Sequence, residues 1–358
     1  MEDLQLYSFQ VKSVIHDYMV SFIDDFNKSL RENLKQGDTL IIDKKVRKLY
    51  SKQLDKIVEH YRCILIDATE EQKSYSGLIP IINELIESGF KRNNRLVAIG
   101  GGITQDVTAF TASILYRGVQ WLFYPTTLLA QGDSCIGSKT SVNFGKYKNQ
   151  VGGFYPPDSI YIDLKFLKTL SELDLKSGFG EMCHYFVIAG KDDFDRYKKE
   201  YLFARNDSNT LCKLIKRSLE IKKGYIEIDE FDKKERQIFN YGHSFGHAIE
   251  SLTNYRIPHG IAVAYGMDIA NFISVKKELI DEDIRMDIRE LLELIWKNTN
   301  INDVSINKFL NALSKDKKNV GSELRVILNG GYGNIFKTEM KNDNQLKDWL
   351  MEYFNTQI

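Results

Sequence analysis

The stretch L-V-A-I-G-G-G-I-T-Q-D, residues 96–106, decides the fold class of this chain. It opens with an apolar run that predicts a buried strand, continues with a glycine turn, and leads into a helical pattern. Strand, glycine turn and helix start together form the geometry that places a pyrophosphate on free backbone N–H groups. Gln105 stands where the motif G-x-G-x-x-G has its last glycine, so a plain tight turn is the competing interpretation.

Other short apolar runs lie on both sides of this strand, and helical stretches separate them. They are Thr39–Ile42, Cys63–Ile66, Trp121–Tyr124 and Ile160–Ile162. Buried runs that alternate with helices predict a parallel sheet covered on both faces. Residues 11–15 and 19–22 predict a short hairpin, and from about Ser171 the periodicity becomes helical. We therefore predict an α/β + α fold: a Rossmann-like parallel-sheet nucleotide-binding domain over residues 1–168, then an all-helical domain over residues 169–358.

Composition excludes several classes of protein. A length of 358 residues suits two domains, and 43% hydrophobic with 27% charged residues is ordinary for a globular protein. Lys plus Arg and Asp plus Glu both number 49, so the net charge favours neither nucleic acid nor an anionic membrane. The acidic N-terminus lacks a leader pattern, and no apolar run approaches transmembrane length. The four cysteines have no paired spacing, which predicts reduced thiols in a cytoplasmic protein.

Three of the six histidines lie in the segment 236–259, R-Q-I-F-N-Y-G-H-S-F-G-H-A-I-E-S-L-T-N-Y-R-I-P-H. His243 and His247 are four residues apart and share one face of a predicted helix, and His259 follows a proline that lets the chain turn back. Converging imidazoles suit zinc, cobalt or iron. Arg236 and Asn240 extend the same polar stripe. An incidental histidine pair is the alternative, and the lack of H-E-x-x-H disfavours a zinc peptidase.

Further polar residues have the spacing of a ligand site. Thr126 and Thr127 follow a predicted strand, at the edge where parallel sheets bind ligands. Lys139 and Lys148 lie in a glycine-rich loop that suits an anion, although a solvated basic loop is the plainer interpretation. Glu181 is followed by a histidine on the same helix face. A nucleotide-type turn, phosphate-type cations and a metal-type cluster together predict an enzyme with a redox cofactor, a metal and a phosphorylated substrate.

Four motifs now identify a resemblance. They are G-G-G-I-T-Q-D, P-T-T-L-L-A-Q-G-D-S-C-I-G-S-K-T, K-N-Q-V-G-G-F-Y-P-P and R-Q-I-F-N-Y-G-H-S-F-G-H-A-I-E. The chain resembles the 3-dehydroquinate synthase family, the sugar phosphate cyclases, from about Leu96 to Leu328. The resemblance implies an NAD-binding α/β domain, a helical domain and an active site between them. It also implies NAD-dependent cyclisation of a seven-carbon sugar phosphate with loss of phosphate, by transient oxidation, elimination, re-reduction and aldol closure.

The resemblance assigns a role to each matching position. The metal ligands, for Zn²⁺ or Co²⁺, are Glu181, His243 and His259. The NAD contacts are Glu71, Lys73, Gly102, Ile103, Thr104, Gln105, Asp106, Thr126, Thr127, Lys139, Lys148, Phe166, Leu167, Lys168 and Thr169. The catalytic positions are Asp133, Lys139, His184, Lys222, Arg236, Asn240 and His247. The further contacts to the substrate phosphate are Arg117, from across a homodimer interface, Asn149, and one of Lys317 or Lys318.

Two positions depart from the family pattern. His184 stands where the family usually has lysine, and Gln105 replaces the third glycine of the cofactor turn. Because a lysine is always cationic whereas a histidine can be neutral, His184 leaves the sugar phosphate open. Lys222, Arg236 and Asn240 keep the pattern expected for a carboxylate-bearing heptulosonate. The alternatives are a cyclase for another sugar phosphate, a metal-dependent alcohol dehydrogenase and a catalytically silent binding protein.

Overall fold

The computed structural model describes residues 4–145, 147–314 and 323–356, and its N-terminal part is built on a seven-stranded sheet. The strands of this part are β1 (Phe9–Val11), β2 (Tyr18–Phe22), β3 (Thr39–Asp43), β4 (Arg62–Ile66), β5 (Leu96–Gly100), β6 (Trp121–Pro125), β7 (Lys139–Phe144), β8 (Tyr147–Phe154) and β9 (Ser159–Ile162). The sheet order is β1-β2-β9-β6-β5-β3-β4, while β7 and β8 form a separate hairpin. All sheet pairs are parallel except β1–β2. The predicted parallel sheet is confirmed. The predicted hairpin forms its antiparallel edge, but the first strand of that hairpin is Phe9–Val11 and not residues 11–15.

Helices bury the strands on both sides. Those of this part are α1 (Phe26–Asn33), α2 (Lys44–Leu49), α3 (Ser51–Val58), α4 (Tyr75–Glu87) and α5 (Gly102–Ile114). Leu40 and Val97 pack in one core cluster with residues of α1 and α3. The next residues along each strand, Ile41 and Ala98, are equally buried. Because side chains alternate across a strand, both faces of the sheet must be covered, which explains the unbroken apolar runs.

The C-terminal part is mainly helical. Its helices are α6 (Glu172–Ala189), α7 (Lys191–Ala204), α8 (Ser208–Ile228), α9 (His243–Leu252), α10 (His259–Lys276), α11 (Glu282–Trp296), α12 (Ile306–Ser314) and α13 (Asn344–Thr356). The predicted helical domain is confirmed, but it also holds an antiparallel hairpin of β10 (Glu323–Asn329) and β11 (Ile335–Lys341). Burial alternates only in the first half of β10, where Leu324 and Val326 are buried, and it is continuous from Val326 to Asn329. This hairpin is an addition that the helical periodicity did not predict.

Glycines let two of these helices approach closely. A side chain on Gly260, near the start of α10, would place its Cβ 1.8 Å from the carbonyl oxygen of Ser177 on α6. A Cβ on Gly180 would lie 2.2 Å from the carbonyl oxygen of Gly260. Only glycine permits both contacts, because any Cβ would overlap backbone atoms. The close packing brings the first turn of α10 against the middle of α6.

A buried ionic cluster also holds the helical part together. Asp268 on α10 is 0% exposed and accepts hydrogen bonds from Arg285 and Arg289 of α11 and from the Tyr353 hydroxyl of α13. A buried carboxylate with three donors is satisfied, whereas a lone one would be costly. The cluster therefore fixes three helices relative to each other.

The chain divides into two compact units. The first comprises Met1–Leu170 and Ile215–Phe231, and the second comprises Ser171–Leu214 and Asp232–Ile358. The sequence placed the boundary after residue 168 and assigned residues 215–231 to the second domain. No helix in the described parts of the chain is long and apolar enough to cross a membrane.

Candidate active site

One carboxylate and two imidazoles converge in the helical unit. Glu181 lies in the middle of α6, while His243 and His259 are the first residues of α9 and α10. The Nε2 atom of His243 is 3.3 Å from Glu181 Oε1, and the Nε2 atom of His259 is 3.3 Å from Glu181 Oε2. One ligand atom from each residue lies within 4.8 Å of the others. The structure therefore brings together the three residues that the sequence predicted as metal ligands.

The electrostatics of this cluster suit a cation. Glu181 is only 3% exposed. Burial raises the pKa of its carboxyl group, but the neighbouring His243 and His259 outweigh burial and hold that pKa well below its usual range. Burial lowers the pKa of His259, but Glu250 and Glu181 raise it well above its usual range. Positive charge is thus stabilised here, and a divalent metal on one carboxylate and two imidazoles fits the donor preferences of zinc or cobalt.

An oxygen atom next to Nδ1 fixes the orientation of each of the two rings, His243 and His259. The Nδ1 atom of His243 is 3.2 Å from the carbonyl oxygen of Tyr241, and the Nδ1 atom of His259 is 3.0 Å from Glu250 Oε2. When Nδ1 carries the proton that these oxygens accept, Nε2 is left to bind a metal. The sequence analysis missed Glu250. The signal was present, because Glu250 is seven residues after His243 and three after His247, on the same helix face.

His247 and His184 lie beside the cluster in different surroundings. The exposed ring of His247 is 5.6 Å from that of His243 and 5.7 Å from that of His259, between centroids. His184 is 0% exposed, and its ring lies 5.4 Å from that of His243 and 3.9 Å from that of Tyr185. His184 is therefore enclosed behind His243, a predicted metal ligand, and has no surface open to a substrate.

The segment before α9 carries two more predicted residues. Arg236 is buried and Asn240 half-buried on a short 3-10 helix, Glu235–Asn240. The Asn240 side chain donates to the carbonyl oxygen of Gln237. Gly242 follows with φ of 80°, a left-handed conformation that turns the chain into His243. Arg236 and Asn240 therefore lie one tight turn before His243, a predicted metal ligand.

In the first unit, two residues that were predicted to bind the substrate, Asp133 and Lys222, contact each other. The Lys222 ammonium group donates to Asp133 Oδ1 at 2.8 Å and to the Asp133 carbonyl oxygen at 2.7 Å. Both side chains are largely buried. A buried, hydrogen-bonded ion pair has a fixed geometry, as a site for a polar substrate requires.

The glycine turn has the geometry of an anion site. Gly101 ends the loop after β5 and precedes α5, and it has no side chain with which to cap the first N–H groups of that helix. The N–H of Thr126 donates to the carbonyl oxygen of Gly100, which places Thr126 and Thr127 beside the turn. Lys73 lies 2.5 Å from Asp106 in the first turns of α5. Helix N-termini of this kind bind phosphate groups, and the turn gathers most of the predicted NAD contacts.

The remaining predicted residues have less uniform surroundings. Lys139 and Asn149 are exposed on the β7–β8 hairpin, and Lys148 forms an ion pair with Glu70 at 3.1 Å. Phe166 and Leu167 are buried, and Phe166 belongs to the hydrophobic core, so a nucleotide could meet only their backbone. The residues exposed at the surface are Glu71, Arg117, Lys168 and Thr169. Lys317 and Lys318 lie outside the described residues.

The sheet unit with its glycine turn and the helical unit with its carboxylate–histidine cluster define a class of two-part enzymes that use a nucleotide cofactor and a divalent metal. Family models agree, because the 3-dehydroquinate synthase N-terminal family matches residues 63–177 and the 3-dehydroquinate synthase C-terminal family matches residues 178–319. The chain belongs to the 3-dehydroquinate synthase family, and the resemblance in its motifs is confirmed. The 3-dehydroquinate synthase of Alkaliphilus metalliredigens (strain QYMF) is 38% identical over 301 residues, 83% of this chain and 84% of that protein.

Solved structures share the fold. A 2-deoxy-scyllo-inosose synthase complexed with carbaglucose-6-phosphate, NAD⁺ and Co²⁺ has a TM-score of 0.86 at 24% identity, over 97% of this chain and 99% of the other. An iron-containing alcohol dehydrogenase has a TM-score of 0.60 at 15% identity, over 94% and 97%. The fold is therefore common to cyclases and dehydrogenases, and it does not by itself separate the two activities.

Proposed function

We propose that this chain is a 3-dehydroquinate synthase, an NAD- and metal-dependent lyase of the shikimate pathway. It would convert 3-deoxy-arabino-heptulosonate 7-phosphate to 3-dehydroquinate and phosphate. Membership of the family supports the proposal. The structural observation that carries it is the cluster of Glu181, His243 and His259, in which both imidazole Nε2 atoms face the carboxylate at 3.3 Å.

The residues present suit this chemistry. NAD and a divalent metal would supply transient oxidation of a substrate hydroxyl, which makes the neighbouring proton acidic enough to leave. The uncapped start of α5 provides N–H groups for a pyrophosphate. Glu181, His243 and His259 would hold the metal. Fixed cations beside the phosphate would stabilise its negative charge as it departs.

Substrate recognition is assigned to the buried polar residues. Arg236 is a permanent cation that suits a carboxylate, and the Lys222–Asp133 pair suits hydroxyl groups. These residues support a heptulosonate substrate. The departure at His184 supports a second candidate, a cyclase for another sugar phosphate in secondary metabolism or surface polysaccharide synthesis, although this enclosed residue would act through His243 and not by touching the substrate. His184 replaces the usual lysine directly beside His243.

The test is to incubate the protein with NAD, Zn²⁺ or Co²⁺ and 3-deoxy-arabino-heptulosonate 7-phosphate, and to follow phosphate and NADH together. We expect one phosphate per substrate consumed and no net NADH, because the cofactor is regenerated. Stoichiometric NADH would instead indicate an alcohol dehydrogenase. Phosphate release only from a different sugar phosphate would indicate a specialised cyclase, and no reaction with either would indicate a binding protein.

Two neighbouring lysines provide a matched pair of variants. Lys222→Met removes the buried ammonium group that contacts Asp133, and Lys223→Met removes a more exposed one that pairs with Glu227 at 3.4 Å. We expect phosphate release to fall at least about 100-fold in the first variant, since a positioned catalytic group contributes on that order. The second variant should retain parental activity. Equal activity of both variants would remove Lys222 from the site.

We further propose a homodimer in the cytoplasm. Exposure of Arg117, at positive φ in a tight turn, supports its assignment to a partner subunit's site. The four cysteines form no disulfide in the described structure, which supports a reducing compartment. Light scattering of the purified protein tests the dimer, because a mass near 41.4 kDa would indicate a monomer.

A further inference from the structure

Gln105, the residue that replaces the third glycine of the cofactor turn, makes a reciprocal contact with Ser134. Its Nε2 atom donates to the carbonyl oxygen of Ser134 at 2.6 Å, and the Ser134 hydroxyl donates to Gln105 Oε1 at 2.7 Å. Gln105 is only 6% exposed. Both hydrogen bonds therefore lie where water competes weakly, so they fix Ser134 to the first turn of α5.

Ser134 ends a short helical turn, Ala130–Ser134, in which Gly132 and Asp133 bond to α8. The carbonyl oxygen of Gly132 accepts from the Ser218 hydroxyl at 2.8 Å. Asp133, directly before Ser134, accepts from the Lys222 ammonium group through both its carbonyl oxygen and its carboxylate. One five-residue turn thus connects the start of α5 with the Asp133–Lys222 pair.

We propose that Gln105 is a positioning residue that couples the cofactor turn to the Asp133–Lys222 pair, so that NAD binding orders the substrate-binding residues. The inference rests on the proposed function, in which α5 binds NAD and Asp133 binds substrate. A glycine at this position has no side chain and makes neither bond to Ser134. A pyrophosphate that immobilises the first turn of α5 immobilises Ser134 through Gln105, and the adjacent Asp133 is ordered with it.

Hydrogen–deuterium exchange of the full-length protein, with and without NAD, tests the coupling. In the parent we expect NAD to slow exchange in residues 100–106 and also, by about fivefold, in residues 130–136 and 216–224, a factor typical of coupled sites. In Gln105→Ala the slowing should remain in residues 100–106 and fall below about twofold in the two distant segments. Ser134→Ala removes one of the two bonds. The slowing in its two distant segments should therefore lie between that of the parent and that of Gln105→Ala.

Thr108→Val is the matched control. The Thr108 side chain is fully buried on the same helix and donates to the carbonyl oxygen of Thr104 at 2.8 Å, so the variant loses a buried hydrogen bond of α5 without touching Ser134. The Thr108→Val variant should show the same NAD-induced slowing as the parent in all three segments. Slowing in residues 130–136 that persists in Gln105→Ala, or is lost equally in Thr108→Val, would overturn the coupling. No slowing in residues 100–106 of the parent would instead reject the proposed cofactor site, and the coupling with it.

Discussion

Glu250 is the residue whose replacement tests the metal site most sharply. Its Oε2 atom lies 3.0 Å from His259 Nδ1, and Glu250 is 8% exposed. In Glu250→Gln the side chain keeps its size and can still accept through its amide oxygen, but the negative charge is lost. The predicted ligands Glu181, His243 and His259 are unchanged, so a loss of metal affinity at that cluster comes from the orientation and basicity of His259.

The size of the effect follows from this contact. A hydrogen bond to a charged group contributes about 1.5–3 kcal/mol, and a neutral one about 1 kcal/mol. Because Glu250 is buried and His259 is partly buried, solvent screens the difference less than it would at the surface. The variant should therefore lose about 0.5–2 kcal/mol of metal-binding free energy, or about 2–30-fold in affinity.

A competition titration of Zn²⁺ against a chromophoric chelator at neutral pH measures this affinity, and circular dichroism confirms that the variant is folded. Glu230→Gln is the matched control. Glu230 is a similarly buried carboxylate in the sheet unit, and it accepts from the Ser138 hydroxyl at 2.8 Å. The Glu230→Gln variant should bind zinc with the affinity of the parent. Parental affinity in Glu250→Gln would refute the argument that this carboxylate orients His259.

Four further predictions address other parts of the molecule. His259→Ala should lose the metal and the activity while circular dichroism shows an intact helical unit; full metal occupancy would reject His259 as a ligand. Because His184 is enclosed, His184→Lys should alter the preference of the enzyme among sugar phosphates only through the neighbouring His243, and identical kcat/KM values for parent and variant on all of them would exclude a role in selectivity. Burial raises the pKa of Cys63 to about 11. About one Cys63 thiol in a thousand is then ionised at pH 8, so alkylation by iodoacetamide should accelerate about tenfold per pH unit up to pH 10, and fast labelling at pH 8 would contradict this. Asp268→Asn should lower the free energy of unfolding by about 3–5 kcal/mol in urea denaturation, because Arg285 and Arg289 lose the negative charge of the buried carboxylate that they share; a loss below about 1 kcal/mol would contradict this.

The parallel sheet could be predicted from the sequence because the burial of a central strand shows in the residues of that strand alone. Residues 96–99 and 121–124 are unbroken apolar runs, and only a strand covered on both faces needs such a run. The glycine turn and the histidine pair were also readable, since each is a short-range pattern. By contrast, the hairpin of β10 and β11 was not predicted, because it lies outside the sequence motifs on which the prediction rested.

The sequence by itself determined which residue types were available for a site: one carboxylate, several imidazoles and a set of cations at fixed spacings. Only the tertiary structure decided which of them meet. Glu181 on α6 and His259 on α10 lie far apart in the sequence, and their contact depends on glycines that let α10 approach α6. It also decided that Glu250 lies behind His259, that Gln105 binds Ser134 and that His184 is enclosed. These pairings are set by how whole helices pack, and packing is a property of three-dimensional distance that residue spacing along a chain does not encode.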